Sequence, residues 1–239
     1  MRARWILGLL PLLTITPTQA MDKHEPAFSK VLLDRLEARD LDIGTQFAWD
    51  LSAWYGGDID KLYFATEGDY LTGAGEDNGT ERAETRIAWS RAFAPFWDWQ
   101  LGARRDWKPD HPNRDWGSIG VQGLAPYRFE MDATLFIGEA GLSQLRLAAE
   151  YELLFTQRLI LTPRLEANAY GKEDTRNGIG TGLTTLEGGL RLRYEIRRRF
   201  APYIGVNWER QYGDTADFSR AAGEDIQTTS LVAGIRAWY

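Results

Sequence analysis

The chain has 239 residues, with 28 Lys and Arg against 34 Asp and Glu, a net charge of −6 and no cysteine. The missing thiols exclude disulfides, thiolate metal sites and cysteine nucleophiles, and the acidic balance, with no lysine-rich cluster, argues against nucleic acid as a partner. Ten Trp, ten Tyr and 24 Gly suit a β-structure with aromatic belts and tight turns.

Residues 1–20, MRARWILGLLPLLTITPTQA, place Arg2 and Arg4 before an apolar stretch and end on Thr18-Gln19-Ala20. This is the pattern of a secretory signal peptide cleaved after Ala20. The apolar run is too short for a spanning helix, and Pro11 interrupts it. Removing Arg2 and Arg4 takes the charge from −6 to −8. No later stretch approaches the ~18 apolar residues a spanning helix needs. The mature chain is therefore read as either a secreted soluble domain or a membrane barrel.

A short segment, 21–29, precedes a barrel domain expected over 30–239. The first element is 30–40, in EPAFSKVLLDRLEARD. Phe28, Val31, Leu32 and Leu36 also fit helical spacing, so pattern alone leaves strand and helix open. Strands are then expected at 47–54, 61–70, 82–91, 97–106, 116–124, 128–138, 144–154, 159–170, 184–196, 203–210 and 228–238, which makes twelve. Several alternate strictly. Thr85, Ile87 and Trp89 oppose Glu84, Arg86, Ala88 and Ser90, and Phe129, Met131, Ala133, Leu135 and Ile137 oppose Arg128, Glu130, Asp132 and Thr134. Leu145, Leu147, Ala149, Tyr151 and Leu153 face away from Arg146, Glu150 and Glu152. Leu159, Leu161, Pro163 and Leu165 do so from Arg164, Glu166 and Asn168, and Leu186, Leu190, Leu192 and Tyr194 from Glu187, Arg191 and Arg193. In the final TTSLVAGIRAWY, Leu231, Ala233, Ile235 and Ala237 oppose Ser230, Val232 and Arg236. Successive strand side chains point to opposite faces, so each of these segments has two environments.

The connections alternate in length. Short ones fall at 55–60, 92–96, 125–128, 155–158 and 197–202, whereas long or polar ones fall at 71–81, 107–115, 171–183 and 211–227, with a shorter one at 139–143. Short periplasmic turns alternating with longer external loops are what an outer-membrane, antiparallel up-and-down β-barrel requires, and an even strand count puts both termini on the periplasmic side. Hydrocarbon offers no hydrogen-bond partner, so every strand edge must be paired. Aromatics are expected in girdles at the strand ends, at Trp54, Tyr55, Trp97, Trp99, Trp107, Trp116, Tyr127, Tyr170, Tyr194, Tyr203 and Tyr239. The terminal Tyr239 also resembles the end signal used when outer-membrane proteins are inserted. A soluble β-sandwich alternates too, but it favours bulky core residues, whereas Ala and Gly recur on the apolar sides here.

The charged registers then line a polar lumen with Glu84, Arg86, Arg104, Glu130, Asp132, Arg146, Glu150, Glu152, Arg164, Glu166, Glu187, Arg191, Arg193, Glu195, Glu209 and Arg236. Buried charges must be paired or hydrated, so bracing ion pairs are the first expectation and a polar path for a small ion the second. Enzyme readings find little to stand on. The two histidines, His24 near the mature N-terminus and His111 in KPDHPNRDW, do not sit on a strand beside a serine. GIGTGL at 178–183 precedes a strand and so fails as a phosphate loop.

The blocks WYGGDIDKLYFATEGD, RAFAPFWDWQLGAR, GLAPYRFEMDATLFIGEAG, YELLFTQRLILTPRLE, GLRLRYEIRRRFAPYIGVNWERQYGDTA and the closing GIRAWY resemble the copper resistance protein B family of bacterial outer-membrane barrels. The resemblance runs from about Trp54 to Tyr239. In that family the stretch matching VLLDRLEAR belongs to the domain, which favours strand over helix for 30–40. The resemblance implies an outer-membrane protein of a copper tolerance system, in contact with outer-membrane lipid and copper ions and working beside periplasmic copper-handling proteins. Many members carry a Met- and His-rich stretch before the barrel. Here only Met21 and His24 stand between Ala20 and the first strand; a thioether suits Cu(I) and an imidazole Cu(II). Within the barrel the candidate metal contacts are the lumen carboxylates Glu130, Asp132, Glu150 and Glu166, with pairing to Arg146 and Arg164 as their competing fate. Three functions remain open at this stage: a barrel that binds or passes copper, a general small-solute pore, and a structural barrel that docks a periplasmic copper carrier.

Overall fold

The computed structural model describes residues 26–41, 44–73, 79–108 and 112–239. The expected leader, Met21, His24 and His111 lie outside the described residues. Thirteen strand segments run in chain order: β1 Phe28–Leu41, β2 Gly44–Gly56, β3 Asp60–Gly73, β4 Gly79–Ala94, β5 Trp97–Trp107, β6 Arg114–Ala125, β7 Phe129–Gly138, β8 Ser143–Glu150, β9 Leu153–Leu154, β10 Leu159–Tyr170, β11 Gly182–Tyr194, β12 Phe200–Gln211 and β13 Gln227–Trp238. β8 and β9 both pair with β10 and form one interrupted stave, so the sheet closes as an antiparallel barrel of twelve staves. Among the described residues no helix is long and apolar enough to cross a membrane.

The first segment is a strand. β1 pairs with β2 along one edge and with β13 along the other, and reciprocal 2.9 Å backbone bonds between Val31 and Tyr239 complete the seam. Closure pairs the staves around the barrel, as an apolar surrounding demands. A bulge in β1 shifts the register between Leu33 and Arg35 on the β2 side. It lets two consecutive residues meet lumen partners: Asp34 lies 2.8 Å from Arg236, and Arg35 lies 2.8 Å from Asp50. A regular strand would have sent one of them outward.

Period-two alternation decides which side faces out. Leu231 is 68% exposed while its neighbour Val232 is 3% exposed. Leu101, Ile119, Leu147, Leu165 and Ile204 are likewise exposed, each on a different strand, and together they form the outward apolar band of an outer-membrane-type barrel. At one end, here the turn end, lie both described termini and the tight connections between strands, including single 3-10 turns such as Pro126–Arg128. Trp89 stacks edge-on with Trp99 at 4.8 Å there, and its Nε1 donates to Asp60 at 2.9 Å. Tyr55, Tyr127, Tyr194 and Tyr239 point outward as girdle residues should.

Several aromatics expected in the girdles lie elsewhere, among them Trp54, which shares the inward face of β2 with Asp50 and Ser52 and lies under Lys61 at 5.8 Å. Trp116 and Tyr203 are buried, and Tyr170 packs against a small core of Trp116, Phe136 and Leu142 inside the barrel. The physical reason is parity. Trp116 shares its face with Ser118 and Gln122, and Tyr203 shares its face with Asn207 and Glu209, so both belong to the inward register. Each sits across from a glycine, Trp116 from Gly138 and Tyr203 from Gly234. A Cβ on Gly138 would come within 2.8 Å of the indole, and one on Gly234 within 2.7 Å of the phenol. The bare backbone gives each ring its seat.

The connection 211–227, long and polar as expected, also contains a helix, α1 Gly213–Ala222. Asp214 in its first turn and Arg220 in its last suit the helix dipole, and Gly223 at φ 79° ends it. Thr215, Ala216 and Ser219 are buried on its inner side. The Gly180 N–H donates to Thr215 Oγ1 at 2.8 Å, tying the helix to the neighbouring 171–181 loop.

Candidate functional site in the charged lumen

The inward registers of β7, β8 and β10 stack side chains in rungs. Glu130 stands opposite Glu150, which stands opposite Arg164. One rung further, Asp132, Ala148 and Glu166 align, and then Thr134, Arg146 and Asn168. Four sequence-derived candidate contacts therefore occupy two successive rungs on one wall, nearer the turn end.

Arginines bridge the lumen from wall to wall. Arg146 on β8 reaches β3 and β4, donating to Glu67 at 2.9 Å and to both oxygens of Glu84 at 2.9 and 2.8 Å, with Glu166 at 3.5 Å. Glu67 and Glu84 are direct cross-strand neighbours, a like-charge pair that is destabilising by itself. Arg146 is the cation that makes their meeting tolerable. Arg191 on β11 grips Glu37 on β1 through Nε and a terminal nitrogen at 2.9 and 2.8 Å. Glu37 is 1% exposed and also accepts from Arg39 at 2.8 Å and from the Tyr203 hydroxyl at 3.0 Å. A carboxylate so enclosed stays charged only because cationic and hydroxyl donors replace its water. Arg104 lies 3.9 Å above the Phe136 ring centroid and 5.2 Å from that of Trp116, and its terminal nitrogen donates to Gln144 at 2.7 Å.

At the loop end, Arg114 holds Asp174 through three contacts of 2.7 to 2.9 Å, and Asn177 adds a fourth at 2.7 Å. Burial works against the charged form of Asp174. The hydrogen bonds from Asn177 and Arg114 outweigh it and hold the pKa below the usual carboxylate value.

The candidate carboxylates differ in how firmly they are held. Glu166 accepts from Arg164 at 2.9 Å and from Asn168 at 3.1 Å. The nearest guanidinium to Glu150 among the described residues is Arg164 at 3.9 Å. Asp132 accepts from Thr134 at 2.8 Å, with Arg86 at 3.9 Å. Among the described residues no ion pair within 4.0 Å holds Glu130, which is exposed at the start of β7. Among the described residues, no three Asp, Glu or His side chains converge as a ready metal cage. Residues not singled out from sequence, Asp34, Arg35, Glu37 and Glu67, prove central to the network. For Glu67 the signal was its place on a strand whose alternate positions are Tyr63 and Asp69; for β1 the helix-like spacing hid the inward register.

The bridges divide the lumen. Among the described residues two small chambers stand out, each with a cavity volume of about 20 Å³, and Arg35 lines both. The loop-end chamber is lined by Glu67, Asp69 and Glu187 against Arg39 and Arg82.

A family model described as copper resistance protein B precursor matches residues 27–239. A copper resistance protein B homolog of Pseudomonas syringae pv. tomato is 46% identical over 217 residues, covering 90% of this chain and 72% of that protein. Copper resistance protein B of Escherichia coli is 44% identical over 217 residues, covering 90% and 71%. Among solved structures, NanC porin matches with a TM-score of 0.57 at 11% identity, over 88% of this chain and 99% of that one. KdgM porin matches with a TM-score of 0.50 at 14% identity, over 88% and 98%. At those identities the likeness to the porins is one of fold.

Proposed function

The chain belongs to the copper resistance protein B family, and from that premise we propose that its barrel binds copper ions in the lumen and passes them between periplasm and exterior. In this reading residues 1–20 are removed on export, the turn end and both termini face the periplasm, and the loops and α1 face outward. The barrel serves as a conduit or holding site, not as an enzyme. The observation that carries the reading is the unequal tethering of the lumen carboxylates. Arg146 and Arg191 cross-brace the interior and leave chambers where a wide pore would be open, which suits a single ion better than a bulky solute. Glu130, Asp132 and Glu150, the candidate acids held more loosely than Glu166, act as transient ligands that bind weakly enough to release. Glu166 stands one rung further as a braced acceptor, and Met21 and His24 offer a thioether and an imidazole at the periplasmic approach.

The test is copper uptake by the refolded barrel with Glu130→Gln and Asp132→Asn combined. The double variant is expected to insert normally and to bind or pass copper several-fold less well. Unchanged copper behaviour in a correctly inserted double variant removes both residues from the path.

A further inference from the structure

The turn-end chamber has a lining rich in guanidinium groups. Five arginines line it, Arg35, Arg164, Arg191, Arg193 and Arg236, against two carboxylates, Asp34 and Glu150. Both carboxylates lie against guanidinium groups, Asp34 at 2.8 Å from Arg236 and Glu150 at 3.9 Å from Arg164. Among the described residues, three donors on this lining find no hydrogen-bond partner in the protein: Arg35 Nε, Arg193 Nε and Thr162 Oγ1. Their residues are 8%, 5% and 6% exposed. A buried donor left unmade forfeits its hydration without return, and native structures rarely tolerate several together. Thr162 and Arg191 are cross-strand neighbours, as are Ile160 and Arg193, so the hydroxyl and the two guanidinium groups of β10 and β11 stand on adjoining rungs.

From this convergence we propose that the turn-end chamber is a binding site for a small oxyanion, either a free phosphate or a carboxylate group. Guanidinium edges match the planar or tetrahedral oxygens of such ions, and the Thr162 hydroxyl supplies a neutral donor. Each arginine already spends one edge on a carboxylate: Arg35 on Asp50, Arg191 on Glu37, Arg193 on Glu152. Those pairs hold the guanidinium groups in place and leave the Nε donors of Arg35 and Arg193 for the ion. Glu150, a candidate copper ligand, shares this chamber, but the three unpaired donors that carry the inference are not candidate copper ligands, so their variants test the oxyanion apart from the copper reading.

The full chain, refolded in detergent micelles in a phosphate-free zwitterionic buffer, is titrated with inorganic phosphate and separately with acetate. Sodium chloride at equal ionic strength is the reference, and the thermal unfolding midpoint is read. One oxyanion should raise the midpoint saturably above the chloride reference; phosphate alone identifies a phosphate group as ligand, and acetate alone a carboxylate. In Thr162→Val and in Arg193→Lys the apparent dissociation constant should rise about tenfold. Thr162→Val removes an unpaired hydroxyl, so without anion its midpoint should equal or exceed that of the parent, which keeps it a folded control. The proposal is overturned if neither oxyanion acts beyond chloride, or if the saturable shift persists unchanged in both variants.

Discussion

Replacing Arg146 by Gln removes the cation that stands between Glu67 and Glu84. The geometry gives the size of the effect. Five contacts disappear: three hydrogen bonds of 2.8 to 2.9 Å, a longer one of 3.4 Å to Asn168, and one ion pair of 3.5 Å to Glu166. Two carboxylates that face each other across β3 and β4 are left without their shared partner. The Arg146 side chain is 14% exposed and those of Glu67 and Glu84 23% and 18%, so lumen water offsets only part of the loss. Breaking one partner of such a network costs about 3–5 kcal/mol, and the lower end applies here because of that water. The assay is urea unfolding of the refolded barrel in lipid bilayers, followed by tryptophan fluorescence. Glu84→Gln in the same background should restore about half of the loss, since it removes the like-charge contact; the pair must therefore be non-additive. A loss below about 1 kcal/mol for Arg146→Gln, or strict additivity with Glu84→Gln, would refute the claim that Arg146 braces this wall.

Tyr203→Phe deletes the hydroxyl that donates to the enclosed Glu37 and should cost about 1.5–3 kcal/mol in the same assay, with little change if water reached Glu37 freely. Phe136→Ala empties a fully buried site beneath Arg104; a loss of about 3–5 kcal/mol is expected, and a change below 1 kcal/mol would mean that the ring is not part of a packed core. Asp174 has a folded-state pKa below its unfolded value. Its clamp on Arg114 therefore contributes fully above about pH 3.9 and is lost as pH falls through the lower folded value. Hydrogen exchange in 171–181 should accelerate over that acid window relative to Asp174→Asn at matched pH, and identical profiles for the two proteins would contradict the clamp.

Most of the barrel was legible because lipid and lumen impose opposite demands on adjacent residues. Leu147 beside Arg146, or Leu165 beside Glu166, carries that contrast in the chain itself, and the alternation of short and long connections marked the two ends of the barrel. The interior aromatics were legible in principle from parity, since Trp116 and Phe136 share the polar face of their strands, but their position near strand ends pointed to a girdle. α1 was hidden for another reason. Its ten residues include few apolar ones, and so short a helix stands by docking on its neighbours, not by its own propensity. The ion pairs across the lumen were beyond the sequence: that Arg146 meets Glu67 and Glu84 depends on barrel diameter and stagger, which no local pattern encodes. The same applies to the unpaired donors of Thr162 and Arg193, which become informative only once their surroundings are in place.

The central claim, that the lumen of this copper resistance protein B family member handles copper ions selectively, is tested most directly by flux. The refolded barrel in liposomes is supplied separately with Cu(I), Cu(II), sodium and a neutral sugar, and release is followed for each. The account predicts that copper passes faster than sodium and that the sugar is held back by the arginine bridges. Equal passage of all four would contradict it and make the barrel a general pore.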